Sequence, residues 1–140
     1  MMMTIVMIKM EEQLITLKTA KLAKKKGFNK KCRNFFNSGS QFKSQSDPII
    51  RTASGVIIEQ PSQSQLQRWI RKKYKVSVEV NYRTFGVKSC NGWYYSFMDL
   101  KKGDRIGYRE NGKDLFSGFN SYEVALEVGL EVALEFIQKK

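Results

Sequence analysis

Between Pro61 and Val80 the hydrophobic period switches, and that switch limits the folds open to the chain. Leu66, Trp69, Ile70 and Tyr74 fall at i, i+3, i+4 and i+8, which places them on one face of a helix. Ser62 and Gln65 have the spacing of a capping box, in which a hydroxyl and an amide satisfy the free N–H groups of the first turn. Beyond Tyr74 the period falls to two. Val76, Val78 and Val80 alternate with Ser77, Glu79 and Asn81, the pattern of a half-buried strand. A helix with a greasy face running straight into a strand predicts a sheet with that helix packed beside it. The rest of the helix surface carries Arg68, Arg71, Lys72, Lys73 and Lys75.

The flanking segments extend this pattern. Lys9 to Lys26 reads as a helix with a ragged stripe of Ile8, Leu14, Ile15, Leu17 and Leu22. Lys24, Lys25 and Lys26 occupy its last turn, where cations complement the helix dipole, and Gly27 is a natural C-terminal stop. Residues 37–47 are rich in Ser, Gln and Gly and read as a loop or linker; 48–60 reads as two short strands about Ala53–Gly55. Asn91-Gly92 and Asn111-Gly112 have the chemistry of tight hairpin turns, and Asp99–Asp104 that of a third turn. Between them Trp93, Tyr95 and Phe97 share one strand face, and Tyr94, Ser96 and Met98 the other. Ser121 caps a helix from Tyr122 to about Gln138, with a small-residue stripe of Ala125, Gly129 and Ala133. Its Glu123, Glu127, Glu131 and Glu135 recur at i, i+4 and read as a solvated face; the alternative is an acidic interface for the chain's own basic segments or a partner. The expected fold is α+β, an antiparallel sheet of three to five strands packed against a central helix and a long C-terminal helix, with an N-terminal helical arm. The expected division is a basic helix and arm over 1–36, a polar loop or linker with short strands over 37–60, and an α-β-β-β-α core over 61–140.

Charge narrows the function. The net charge is +12, and it is unevenly placed: residues 1–90 hold 18 Lys/Arg against 5 Asp/Glu, residues 91–140 hold 7 against 8. A basic balance of this size attracts polyanions. The chain has no histidine, which excludes His-based acid/base catalysis and His-containing nucleophile systems and zinc sites. Cys32 and Cys90 are too few for a four-cysteine metal site; they read as lone thiols in a reducing compartment, with a single disulfide as the alternative. The apolar start, MMMTIVMIKM, is short and lacks a leading positive charge and a small-residue cleavage site, so a cytoplasmic protein is expected, with Met10 as a second possible start. No cofactor, metal, membrane or small-molecule substrate is expected. The candidate binding residues are Arg68, Arg71, Lys72, Lys73 and Lys75 on the central helix, Lys24, Lys25 and Lys26 at the end of the first, and Lys30, Lys31 and Arg33 after it. The last three lie beside Phe35 and Phe36, an interleaving that suits single-stranded nucleic acid, although adjacent phenylalanines more often anchor a loop to a core.

Three stretches, EEQLITLKTAKLAKKKGFNKKC, QSQLQRWIRKKYKVSVEV and FNSYEVALEVGLEVALEFIQ, resemble small phage and prophage accessory proteins of the Bacteroidetes group, which carry similar segments in the same order. The match covers about half the chain, leaving 37–60 and 84–110 outside it. Lys72 stands where an acidic residue is common in that pattern, and Val124 where it has a second Glu. The resemblance implies a small protein that binds and disarms host machinery. The order helix, strands, long helix is also similar to double-stranded-RNA-binding domains. The basic cluster that such domains place at the start of the last helix is replaced here by the acidic SYEVALE.

Three function classes follow. The first is a non-catalytic module that binds RNA, or an RNA-containing host complex, through its cationic helix face. The second is an inhibitor of anti-CRISPR type that binds a host defence nuclease or its guide RNA. The third is a metal-dependent nuclease using Asp99, Asp104, Glu110 and Asp114, carboxylates that also belong to ordinary turn chemistry.

Overall fold

Residues 13–51, 55–84, 86, 91–107 and 118–137 are described by the computed structural model. In chain order the elements are α1 (Leu17–Lys25), β1 (Asn34–Asn37), β2 (Ser44–Gln45), α2 (Pro48–Arg51), β3 (Ile57–Gln60), α3 (Gln63–Tyr74), β4 (Val76–Arg83), β5 (Gly92–Asp99), β6 (Asp104–Gly107) and α4 (Tyr122–Ile137). The strands form two antiparallel sheets, β2-β1-β3 and β4-β5-β6, and the fold is α+β as expected.

The α3–β4 unit forms as its sequence dictates. Ser62 Oγ accepts from the Gln65 N–H (3.2 Å) and Gln65 Oε1 accepts from the Ser62 N–H (2.9 Å), closing the capping box. Leu66 and Ile70 are fully buried, each contributing about 1.5–3 kcal/mol. Lys75 takes the left-handed conformation (φ 58°) and its N–H closes on the Arg71 carbonyl, so the chain turns from helix to strand within one residue. Gln67 of α3 donates to the Val78 carbonyl (2.6 Å), a backbone group on the outer strand of the sheet.

β4 pairs with β5 so that Val78 faces Phe97 and Val80 faces Tyr95. α4 covers this face with its small-residue stripe. A Cβ at Gly129 would lie 3.0 Å from Tyr95 Cβ and 3.1 Å from Val78 Cγ1, so the helix approaches the sheet as closely as glycine allows. Ser121 Oγ accepts from the Val124 N–H (3.1 Å), and Leu126, Leu130, Leu134 and Ile137 complete the buried face.

The structure corrects four expectations. The first helix begins at Leu17 rather than Lys9: residues 13–16 are extended, and Thr16 is the N-cap. The Ile15 N–H donates to the Pro61 carbonyl (3.2 Å) and Gln60 Nε2 to the Ile15 carbonyl (2.8 Å), so this segment is stitched to the β3–α3 junction instead of coiling. Residues 37–60 hold short strands as expected, but β2 and β3 belong to a sheet on the core instead of a free linker. β1, β2 and β3 build the second sheet, Ile49 and Ile50 lie in α2 rather than a strand, and one core joins Ile15, Phe36 and Ile58 to Leu66, Val78 and Leu130. Asn91-Gly92 is not a hairpin turn: Gly92 already pairs with Arg83 in the sheet. Its glycine is required by a close approach, since a Cβ there would lie 2.7 Å from Gly118 Cα, beside the bridge between Trp93 and Phe119. The Asn111-Gly112 turn lies outside the described residues.

The fourth correction concerns the acidic stripe of α4, which docks the chain's own first helix. Glu127 Oε2 accepts from the Thr16 N–H (3.0 Å), the Thr16 hydroxyl (2.9 Å) and the Thr19 hydroxyl (2.6 Å); its Oε1 accepts from Gln63 Nε2 (3.1 Å). Glu131 pairs with Lys18 at 2.6 Å. Glu127→Ala is expected to lower stability by about 1.5–3 kcal/mol, the usual worth of hydrogen bonds to a charged group. Urea unfolding measures this against Glu123→Ala, whose exposed side chain should change stability by less than about 0.5 kcal/mol.

Candidate nucleic-acid interface

Arg68, Arg71, Lys72 and Lys75 recur at i, i+3, i+4 and i+7 and are all exposed. Arg68, Arg71 and Lys72 form one stripe about 6 Å long on α3, at 1.5 Å rise per residue, and Lys75 follows on the left-handed residue that ends the helix. Lys73 leaves this stripe. Its ammonium lies 5.9 Å from the Trp69 ring centroid and 5.7 Å from that of Tyr74, and it is the atom nearest to where a Gly27 Cβ would stand, at 3.9 Å.

That direction leads to the end of α1. The Tyr74 hydroxyl donates to the Lys26 carbonyl at 2.6 Å, satisfying one of the free acceptors of the last helical turn. Phe28 meets Trp69 edge-on with ring centroids 5.1 Å apart, and Trp69 meets Tyr74 at 5.7 Å. These three rings clamp the C-terminal ends of α1 and α3 together. Trp69 is half-buried and packed against the core, as its helix face requires. The clamp sets the last turn of α1, which carries Lys24, Lys25 and Lys26, beside the end of α3, which carries Arg71, Lys72 and Lys73 and leads to Lys75; of the second set Lys73 is the one that reaches Gly27. Lys24 and Lys25 are exposed and Lys26 is half-buried. Partial burial lowers the Lys26 pKa and the charge on Lys25 lowers it further, against an opposing pull from Glu135. Lys30, Lys31 and Arg33 are exposed on the segment between α1 and β1.

Among the described residues the ion pairs are Lys18–Glu131 and Arg51–Glu59, and none of the eleven candidate cations takes part. The basic-aromatic reading of residues 30–36 does not survive as a stacking site. Phe35 and Phe36 are buried in β1, 1% and 5% exposed, so their faces serve the core. Phe35 instead carries the Arg51 guanidinium at 4.3 Å.

A cluster around Arg51 went unread in the sequence. Arg51 holds Glu59 with both of its terminal nitrogens (2.6 and 3.0 Å) and donates to the Cys32 carbonyl (2.7 Å), while the Cys32 N–H donates to Glu59 (2.9 Å). Its residues are 8 to 27 positions apart and share no local motif. Burial, aided by Glu59 and opposed by Arg51, pushes the Cys32 thiol up to about 11, so it is protonated and unreactive near neutrality.

Of the carboxylates considered for a nuclease, Asp99 and Asp104 are cross-strand partners in β5 and β6. Asp99 Oδ1 accepts from the N–H groups of Lys101 (2.9 Å) and Lys102 (3.3 Å), the chemistry of a turn, and Asp104 opens β6. Glu110 and Asp114 lie outside the described residues. Among the described residues no group of three or more His, Cys, Asp and Glu is placed to hold a metal, and no helix is long and apolar enough to cross a membrane. Tyr94 is half-buried, with the Arg83 guanidinium 5.9 Å from its ring.

No family model, curated protein or solved structure matches the chain. Tyr74→Phe removes only the hydroxyl that ties the two helix ends. It should cost about 0.5–1.5 kcal/mol in denaturant unfolding and raise amide exchange at Gly27 and Phe28 more than at Leu66.

Proposed function

We propose that this protein is a non-catalytic binding module for RNA, free or within an RNA-containing host complex. The observation that carries the reading is the union of two cationic clusters at the clamped ends of α1 and α3. Seven cations, Lys24, Lys25, Lys26, Arg71, Lys72, Lys73 and Lys75, lie along these two helix ends, and none of them forms an ion pair among the described residues. A purely structural account would assign them to the helix dipoles. Each helix end carries roughly half a negative charge, so two ends together match about one cation. Most of the seven remain for an external polyanion.

The geometry favours side-chain contacts to phosphates over backbone ones. Helix C-terminal ends present carbonyl groups, so N–H cradles of the kind found at helix N-termini are absent from this patch. Long, mobile cations suit a ligand read by its phosphates, and such binding falls steeply with salt. The resemblance of three stretches to phage and prophage accessory proteins supports a host ribonucleoprotein as the setting. It also supports a direct inhibitor of a host defence nuclease as the second reading.

Fluorescence anisotropy with a structured RNA across a salt series tests the proposal. The double reversal Arg71→Glu/Lys72→Glu should weaken binding by about tenfold or more and flatten the salt slope by roughly 2, about 1 for each lost phosphate contact. The same reversal at Lys101 and Lys102, exposed on the β5–β6 turn, should do far less. Equal loss in both would reduce the effect to net charge and defeat the proposed surface. Capture of one host protein that persists after ribonuclease treatment, without RNA binding by the pure protein, would decide for the inhibitor.

A further inference from the structure

Beside the clamp the basic surface opens into a depression of about 330 Å³ lined by Lys24, Gly27, Phe28, Asn29, Ile57 and Glu59. That is the low end of the range of small-ligand sites, roughly 300–1,000 Å³. Its walls differ in chemistry. The Lys24 ammonium reaches the Ile57 carbonyl at 3.4 Å. Phe28, only 5% exposed, gives with Ile57 an apolar, fixed floor. Asn29 is exposed, and its amide, both donor and acceptor, has no partner among the described residues. Gly27 (φ 102°) presents no side chain between Lys24 and Asn29, and Lys73 of the α3 cluster is its nearest neighbour.

Glu59 is the informative wall. Its carboxylate is held by Arg51 and the Cys32 N–H, with Oε1 accepting two of these bonds and Oε2 one. Oε2 therefore keeps capacity for another donor. Besides holding Arg51 and the Cys32 N–H, this carboxylate places an acceptor at the edge of the basic surface. A nucleotide can use both: its phosphate seeks a cation, while its amino and hydroxyl groups seek an acceptor.

We propose that this depression takes one unstacked ribonucleotide of the bound strand. Its phosphate lies beside Lys24, its donor edge faces Glu59 Oε2, and Asn29 bonds the remaining polar edge. This rests on the RNA reading and adds a preference to it. Paired nucleotides inside a duplex cannot enter, so single strands, loops and bulges are favoured over continuous helix.

The test compares the full chain and Asn29→Ala on an unstructured oligocytidine RNA, a blunt RNA duplex and CMP. Asn29 is exposed, so the variant should fold. The expected result is a loss of about threefold to tenfold in affinity for the single strand, the worth of one hydrogen bond, with duplex binding unchanged. The Phe28, Asn29 and Glu59 amide resonances should shift with oligocytidine and not with duplex. Unchanged single-strand affinity in Asn29→Ala, with RNA binding intact, overturns the nucleotide site and leaves the phosphate surface standing. Absence of binding to either RNA overturns both. CMP binding as tightly as the oligomer would make the ligand a free nucleotide and overturn the strand-borne assignment.

Discussion

One carboxylate sets the arrangement of the helices. Glu127 accepts hydrogen bonds from Thr16 and Thr19 at the start of α1 and from Gln63 at the start of α3. A negative charge is favoured at a helix N-terminus, where free N–H groups concentrate partial positive charge. The consequence is geometric. α1 and α3 both begin at Glu127, and both end where Tyr74 meets the Lys26 carbonyl. The two helices therefore share a polarity and bring their electronegative ends together. Side by side, such ends repel, and the cations clustered there offset the repulsion. Part of the basic surface is thus a requirement of the fold, created by an acid at its far end.

Around this joint, polar side chains do work that apolar packing alone leaves undone. Gln60, buried in β3, donates to the Ile15 carbonyl and accepts from Ser44, tying the extended lead-in of α1 to the small sheet. Gln63 donates to the Glu123 carbonyl as well as to Glu127, tying α3 to α4. Asn37 donates to the Ile50 carbonyl and accepts from the Gly39 N–H. Among the described residues no buried side-chain nitrogen or oxygen lacks a partner. Buried amides of this kind fix register, because a slip leaves costly unpaired groups.

The parts legible in the sequence are those whose signal is local. The capping box, the Leu66–Ile70 face, the change of period at Val76 and the Ala125–Gly129–Ala133 stripe depend on spacings of a few residues, and all four appear as read. Of the small sheet only a strand at β3 was legible, because strands of two to four residues show no period, and the sheet's polar sequence is satisfied through Asn37, Ser44 and Gln60. Asn91-Gly92 misled because glycine serves close approach as well as tight turning. The Glu127 joint spans 111 positions to Thr16. At the surface, each basic cluster could be read, but their union hangs on a bond spanning 48 positions and a clamp of three rings.

The same joint decides where the charges of the whole molecule stand. Two acids of α4 are committed toward the starts of the helices, Glu127 at α1 and α3 and Glu131 at Lys18, while Glu135 acts on Lys26 at the other end. The cations stand at the opposite ends. At 1.5 Å per residue, the nine residues of α1 separate the two by about 13 Å, more than the Debye length of about 8 Å at physiological salt. The basic patch is thus largely hidden from Glu127 and Glu131 by screening. A polyanion approaching within a Debye length meets the cations and is only weakly repelled by the acids behind them. The excess of cations at one end therefore orients the approach, and Glu59 introduces the first fixed negative contact only once the ligand has arrived.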